Sequence, residues 1–370
     1  MQGWMPRKSA CWLVFLLFPQ QIVRADLLHV RLDTGETMVL TARVVAQIPD
    51  VLLVETAEGS LHLLPQTAVL QREPHEPPEP FRAEQLQELL LSEFGVERCL
   101  TQLEKPYVLV LVRPTVATGQ SLPPRSLRVV LNRACKFFRS VQQTFSEFMR
   151  QIHVELIPPR YPLGVIIFES DRDYEAYTTS TREGPGLSAA STAAFYDLMS
   201  NRLVLRLSEC TTFDTPLHEA IHQLAYNRGL FQRLAPIPLW LNEGLATGFE
   251  GDGERIRADP RSLSMRYAPV ALKHGDFSWN ELVGSDQPFQ GDVLAGMAYA
   301  HAWSLHWWLV TRYRHEYSKL LQDYSRLKPL DELRPEQRIL RLEDLTGRSL
   351  QQLQEECRRD LMRQLGRKLP

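Results

Sequence analysis

Short runs that alternate apolar and polar residues fill the first part of the chain. "LLHVRL", "TMVLTARVV", "VLLVETA" and "SLHLLP" are rich in Val, Leu and Thr. Turn signals at Asp33-Thr34-Gly35 and Glu58-Gly59-Ser60 separate them. Four or five short strands are predicted over residues 26–72, forming a small all-β, barrel-like or curled domain. "REPHEPPEPF" follows, with four prolines in ten residues. That composition predicts a stiff connector over residues 73–81 and a domain boundary there.

From residue 82 the period lengthens. "AEQLQELLLSEFG" has helical spacing and stops at Gly95. "PYVLVLVRP" and "PLGVIIFES" are unbroken apolar runs, as expected of strands buried on both faces. "RSLRVVLNRACKFFRSVQQTFSEFMRQI" predicts a long amphipathic helix, and "DRDYEAYTTS" a short one capped by Asp171. "AAFYDLMSNRLVLRLS" reads as a hairpin that pairs Ala193–Tyr196 with Leu203–Leu207 around Ser200-Asn201. Helical patterns fill the remainder. The layout predicts an α+β domain over residues 82–370, a small mixed sheet followed by helices.

The N-terminus changes the picture of where the chain resides. Arg7 and Lys8 precede the short apolar run "CWLVFLLF", and Val23 and Ala25 supply small residues at the spacing of a signal-peptidase site. A signal peptide over residues 1–25 is expected, with export from the cytoplasm. Cys11 precedes the apolar run, which places it badly for carrying a lipid. No later run is long enough to span a bilayer; "AWSLHWWLV" comes nearest and contains His306. Cys99, Cys135, Cys210 and Cys357 would remain after cleavage, enough for two bridges but without a C-x-x-C pair. A net charge of −2 recruits neither nucleic acid nor an anionic membrane. The basic C-terminal stretch reads as a solvated helix face.

Chemistry enters at "TPLHEAIHQL". Thr215 is expected to cap a helix with Pro216 in its first turn. His218 and His222 then lie one turn apart, about 6 Å along the axis, on one face. Two neutral imidazoles so placed reach one ion. Glu219 sits about 100° round the helix, poorly set as a ligand but well set to touch a water on the metal. A hydrolytic zinc needs a third protein ligand and an open position. "PIPLWLNEGLATGFE" provides it: Pro238 opens a second helix that carries Glu243. Twenty residues separate His222 from Glu243, enough to finish the first helix near Gly229, turn, and return antiparallel. Gly244 and Ala246 permit close helix packing.

"HEAIH" followed by "WLNEGLATGFE" resembles the gluzincin clan of zinc metallopeptidases, which includes thermolysin and the zinc aminopeptidases; "WLNEG" with Ala246 and Glu250 is closest to the aminopeptidase form. The resemblance implies a gluzincin-like metallopeptidase domain in which His218, His222 and Glu243 bind one Zn2+ and Glu219 is the general base. It implies that the hairpin before the metal helix is the edge against which a peptide lies, with Tyr196 a substrate contact, and that Tyr299 in "GMAYAHAW" donates to the oxyanion. "LKHGDFSWNELV", "GMAYAHAWSLHWWLV" and "LEDLTGRSLQQLQEECRRDL" resemble the C-terminal helices of exported gluzincin-like proteins. His301 and His306 read as packing or surface residues, and the role of His274 is open. Two departures matter. The chain has no G-x-M-E-N, the motif that holds a free substrate amine, so aminopeptidase action is not implied. Thr247 stands where thermolysin-like chains place the aspartate that orients a ligand.

The expectation is an exported zinc metallopeptidase acting on peptide or protein substrates, without nucleic-acid partners or an integral membrane segment after signal removal. The alternatives are a catalytically inactive gluzincin-like binding or structural protein working through its β domain, and a zinc hydrolase of another amide or an ester. The partner of the β domain is not given by sequence.

Overall fold

The structure is a computed structural model. It describes residues 25–32, 34–115, 122–181, 193–251, 256, 259–290 and 292–368. The predicted signal peptide therefore lies, except for Ala25, outside the described residues.

The architecture is mixed α+β, a β-sheet region followed by a region that becomes wholly helical. The first sheet has five antiparallel strands: β1 (Ala25–Arg31), β2 (Thr37–Ile48), β3 (Val51–Glu55), β4 (Leu61–Pro65) and β5 (Val69–His75). Their order is β4-β3-β2-β1-β5. Alternation sends Leu28, Val30, Ala42, Leu52, Val54 and Leu64 into a small core of their own. The pairing leaves β4 and β5 as edges, so among the described residues the sheet is open rather than closed into a barrel. The last strand reaches His75 and includes Pro74, inside the expected connector. An edge strand tolerates that proline because one side of it needs no donor.

Next come α1 (Ala83–Phe94), β6 (Cys99–Glu104), β7 (Tyr107–Val112), α2 (Pro124–Gln151), β8 (Leu163–Phe168), α3 (Asp171–Thr181), β9 (Ala194–Asp197) and β10 (Arg202–Arg206). The strands form a second sheet in the order β6-β7-β8-β10-β9. Its centre, β7-β8-β10, is parallel, and its flanking pairs are antiparallel. Val108, Val110 and Val112 pack with Leu86 and Leu90 of α1 and Tyr174 of α3. The alternate residues Tyr107, Leu109 and Leu111 pack beneath α2. Burial on both faces explains why β7 and β8 read as continuous apolar runs. β6 was not legible: its "CLTQLE" is half exposed and weakly patterned. Ser170, not Asp171, caps α3, its hydroxyl accepting from the Asp173 amide at 3.3 Å.

Helices complete the chain: α4 (Asp214–Asn227), α5 (Leu239–Phe249), α6 (Ala268–Lys273), α7 (Trp279–Gly284), α8 (Asp292–Arg312), α9 (Arg314–Ser325), α10 (Pro335–Thr346) and α11 (Leu350–Lys368). α5 is buried along its length from Trp240 to Phe249. It rests on α8 through glycines. A Cβ on Gly244 would stand 2.7 Å from the Ala302 carbonyl oxygen, and one on Gly248 2.5 Å from His306 Nε2. No helix among the described residues is long and apolar enough to cross a membrane. Cys99, Cys135, Cys210 and Cys357 are free thiols, three of them buried.

Candidate metal centre

α4 does not start as its sequence suggests. Its N-cap is Phe213, held left-handed at φ 59°, and Thr215 lies within the first turn, donating to Glu209 at 3.3 Å. Packing sustains that backbone: the Phe213 ring stacks on Phe137 at 4.4 Å, and the Arg133 guanidinium lies 5.4 Å from the Phe213 ring centre. Leu217, Ala220, Ile221, Leu224 and Ala225 bury one face of α4. The buried Gln223 side chain donates to the Gly164 carbonyl of β8 at 3.1 Å and ties the helix to the sheet. His218 and His222 therefore emerge from a fixed helix, their ring centroids 4.7 Å apart.

α5 returns against α4 and delivers Glu243. Leu239 N–H, at its start, donates to Asp286 at 2.9 Å, a carboxylate at the positive end of the helix. Glu243 Oε2 lies 2.8 Å from His218 Nε2 and 3.5 Å from His222 Nε2. One ligand atom from each of the three residues falls within 4.8 Å of the others, and they form the cluster of possible ligands found among the described residues.

Neighbouring side chains orient the three groups. His218 Nδ1 donates to Glu250 Oε1 at 2.8 Å, and His222 Nδ1 lies 3.2 Å from Asn242 Oδ1. With both Nδ1 atoms engaged from behind, the Nε2 atoms of both rings converge on the Glu243 carboxylate, and the His218 ring donates to it through Nε2–H. A metal cation bound here would displace that proton and take both Nε2 lone pairs. Burial disfavours a charged His218 ring, but the Glu243 and Glu250 carboxylates overcome it and hold its pKa well above the usual histidine range. Burial likewise works against ionised Glu243, yet the two imidazoles depress its pKa far below the carboxylate range. The 2.8 and 3.5 Å separations bracket the roughly 3.3 Å edge of a tetrahedron with zinc–ligand bonds of about 2.0–2.1 Å. Two imidazole nitrogens and one carboxylate oxygen, each ring steadied from behind, fit zinc.

Glu250 answers the departure at Thr247. It lies seven residues beyond Glu243, two helical turns along the same face, at the end of α5. Its other oxygen accepts from Tyr267 Oη at 2.5 Å and Arg266 Nη1 at 3.0 Å. Thr247 instead turns its hydroxyl back to the Glu243 carbonyl at 2.8 Å. Asn242 and Glu250 were within reach of sequence reasoning, being next to Glu243 and on its face. Tyr267 was not, because it arrives from a separate segment.

Glu219 leaves the ligand cluster and meets the edge strand, accepting from the Tyr196 amide at 2.8 Å. β9 is the outer strand of its sheet among the described residues, where the resemblance placed an edge strand. The Tyr196 side chain points elsewhere: it is buried, its hydroxyl donates to Asn201 Oδ1 at 2.6 Å, and its ring stacks on Tyr226. The backbone of Tyr196, not its phenol, is what faces the site. Tyr299 of α8 is brought to the cluster, its ring 6.1 Å from His218 and 5.5 Å from Phe289. Burial, then the Glu243 and Glu219 charges, push its pKa upward, so its hydroxyl keeps its proton.

His301 and His306 are packing residues. His301 accepts from Trp279 Nε1 at 3.2 Å and lies 2.9 Å from the His274 carbonyl; the contribution of His274 there is that backbone oxygen. His306 lies 2.8 Å from the Tyr317 hydroxyl. Burial lowers the pKa of both, to about 4 for His301 and about 3 for His306.

Residues 212–331 are similar to a family described as "Protein of unknown function (DUF1570)". The matched segment runs from just before α4 to just beyond α9. It contains His218, Glu219, His222, Glu243, Glu250, Tyr267 and Tyr299, and omits both sheets. No curated protein and no solved structure matches the chain.

Proposed function

We propose that this chain is an exported zinc-dependent hydrolase of peptide bonds, with a gluzincin-like catalytic domain. The convergence of His218, His222 and Glu243 on one point, with Glu219 next to His218 on the same helix, carries the reading. Bound zinc would supply Lewis acidity and lower the pKa of a coordinated water from 15.7 to about 7. The two imidazoles and the Glu243 carboxylate would hold the ion, and Glu250 and Asn242 orient the imidazoles. Glu219 takes a proton from the attacking water and returns it to the leaving amine. Tyr299, kept protonated by its surroundings, donates to the developing oxyanion. β9, the outer strand of its sheet among the described residues, meets Glu219 and suits an extended chain, which favours a peptide over a compact ester.

A purely structural zinc site would close its fourth position and would have no use for a carboxylate beside it. The first test is metal content of mature wild-type protein and Glu243→Ala, purified side by side. One zinc per wild-type chain, lost in the variant, supports the site; a well-folded wild type that refuses added zinc overturns it. Glu219→Gln should then retain zinc and lose hydrolysis of an unstructured protein substrate by about 100-fold or more. Near wild-type turnover in that variant would remove Glu219 from its role.

A further inference from the structure

The N-terminal sheet touches the metal-bearing region at a buried charge. Glu55, the last residue of β3, is 5% exposed. Its carboxylate accepts from Arg43 of its own sheet, from Tyr161 Oη at 2.7 Å and from Arg233 Nη2 at 2.7 Å. Arg233 belongs to the connection between α4 and α5, the two helices that carry the ligands. Its guanidinium also donates to the Gly59 carbonyl at 2.8 Å and the Leu198 carbonyl at 3.0 Å. One side chain thus joins the N-terminal sheet, the α4–α5 connection and the β9–β10 turn.

A second strut reaches the same turn: Leu61 N–H, at the start of β4, donates to the Met199 carbonyl at 2.7 Å. Close contact requires Gly59, at φ +91°, where a Cβ would stand 2.8 Å from the Tyr161 ring. The far side of the turn is held by α4. Asn201 and Asn227 exchange two amide hydrogen bonds, at 2.9 and 2.7 Å, and Asn201 also receives the Tyr196 hydroxyl. Two residues before the turn begins to be gripped, the Tyr196 amide meets Glu219.

We propose that the N-terminal sheet is a fixed brace for the edge hairpin of the active site, acting through Glu55 and Arg233, and not a tethered domain with an independent partner. A buried ion pair is weak evidence for stability; what points to geometry here is that the Arg233 guanidinium meets Glu55, Gly59 and Leu198 at once, on three separate segments. Here that arrangement sets where β9 lies relative to Glu219. The consequence for catalysis rests on the hydrolase reading above; the brace itself does not. Arg233 and Glu55 are positioning residues, distant from the reacting atoms.

The test is amide hydrogen exchange on full-length protein, with and without zinc, in wild type, Arg233→Lys, Arg233→Met, Glu55→Gln and the Arg233→Met/Glu55→Gln pair. In Arg233→Met and Glu55→Gln, exchange over residues 193–206 should accelerate roughly tenfold, while β7, β8, α8 and zinc affinity hold. Arg233→Lys, which keeps the charge but cannot span three acceptors, should show a smaller effect. The paired variant should accelerate exchange by less than the product of the two single effects, since both single changes break the shared Glu55–Arg233 contact. Unchanged exchange over 193–206, with β3 and β4 alone loosened, would overturn the brace. Acceleration throughout the chain in Glu55→Gln, the mildest change, would overturn it too, since the pair would then serve stability alone. A wild type that binds no zinc refutes the metal reading and leaves the zinc-free comparison intact.

Discussion

Glu250→Gln isolates the residue that steadies His218 from behind. The carboxylate lies 2.8 Å from His218 Nδ1 and also receives Tyr267 and Arg266. Glutamine fills the same space and leaves one oxygen for the imidazole, but removes the negative charge and offers an amide to two donors. A unit charge on the far side of an imidazole, about 7 Å from a zinc–Glu243 centre of net charge +1, contributes about 2.4 kcal/mol at an effective dielectric of 20. That is a factor of about 50 in affinity, inside the roughly 10–100-fold range found when outer partners of metal ligands are replaced. The assay is zinc competition against a chromophoric chelator at pH 7.5, with the melting temperature of zinc-free protein as control. The expected result is zinc bound about 50-fold more weakly, with zinc-free stability nearly unchanged. Tyr267→Phe should weaken zinc in the same direction by less, because the carboxylate keeps its charge. Zinc affinity in Glu250→Gln within about twofold of wild type would refute the reasoning, as would an equal loss of stability with and without zinc.

Three further predictions probe other parts of the argument. Tyr299→Phe should lower kcat by about 10–100-fold and leave zinc content at one per chain, since only a transition-state donor is removed; an unchanged kcat would return Tyr299 to a packing role. Gly248→Ala should cost about 1–3 kcal/mol in denaturant unfolding, because its methyl meets the His306 ring at a distance that ring cannot yield; a neutral or stabilising result would show that α5 and α8 separate easily. The His306 pKa falls from 6.5 in the unfolded chain to about 3 in the fold, so its contribution is fully present above pH 6.5 and is lost as pH falls toward 3. The slope of that loss is about 1.4 kcal/mol per pH unit. Urea unfolding at pH 7 and pH 5 should show His306→Gln losing less stability on acidification than wild type, and equal losses would contradict the assignment.

Several features were legible in the residues alone, for reasons of local geometry. The helix period places His218 and His222 on one face whatever surrounds them. The spacing from His222 to Glu243 permits an antiparallel return, which the α4–α5 pair makes. Continuous apolar runs announced β7 and β8, since strands buried on both faces cannot show alternation. The hairpin at Ser200-Asn201 followed from its turn residues, with Asn201 left-handed at φ 60°.

Other features depend on atoms that meet only when the chain closes. Phe213 displaced Thr215 as the cap of α4 because a stacked aromatic sustains a backbone that propensity disfavours. Tyr196 turned its phenol inward and offered its amide, a choice set by burial against Tyr226 and Asn201. Tyr267 reached Glu250 from another segment, and Arg233 found Glu55 from 178 residues away. The sequence by itself determined that His218 and His222 share one helix face next to Glu219, and that Glu243 can return to them, because spacing along a rigid helix is a local property. Only the tertiary structure decided what steadies them, because hydrogen bonds and buried charges between distant segments leave no period in the chain.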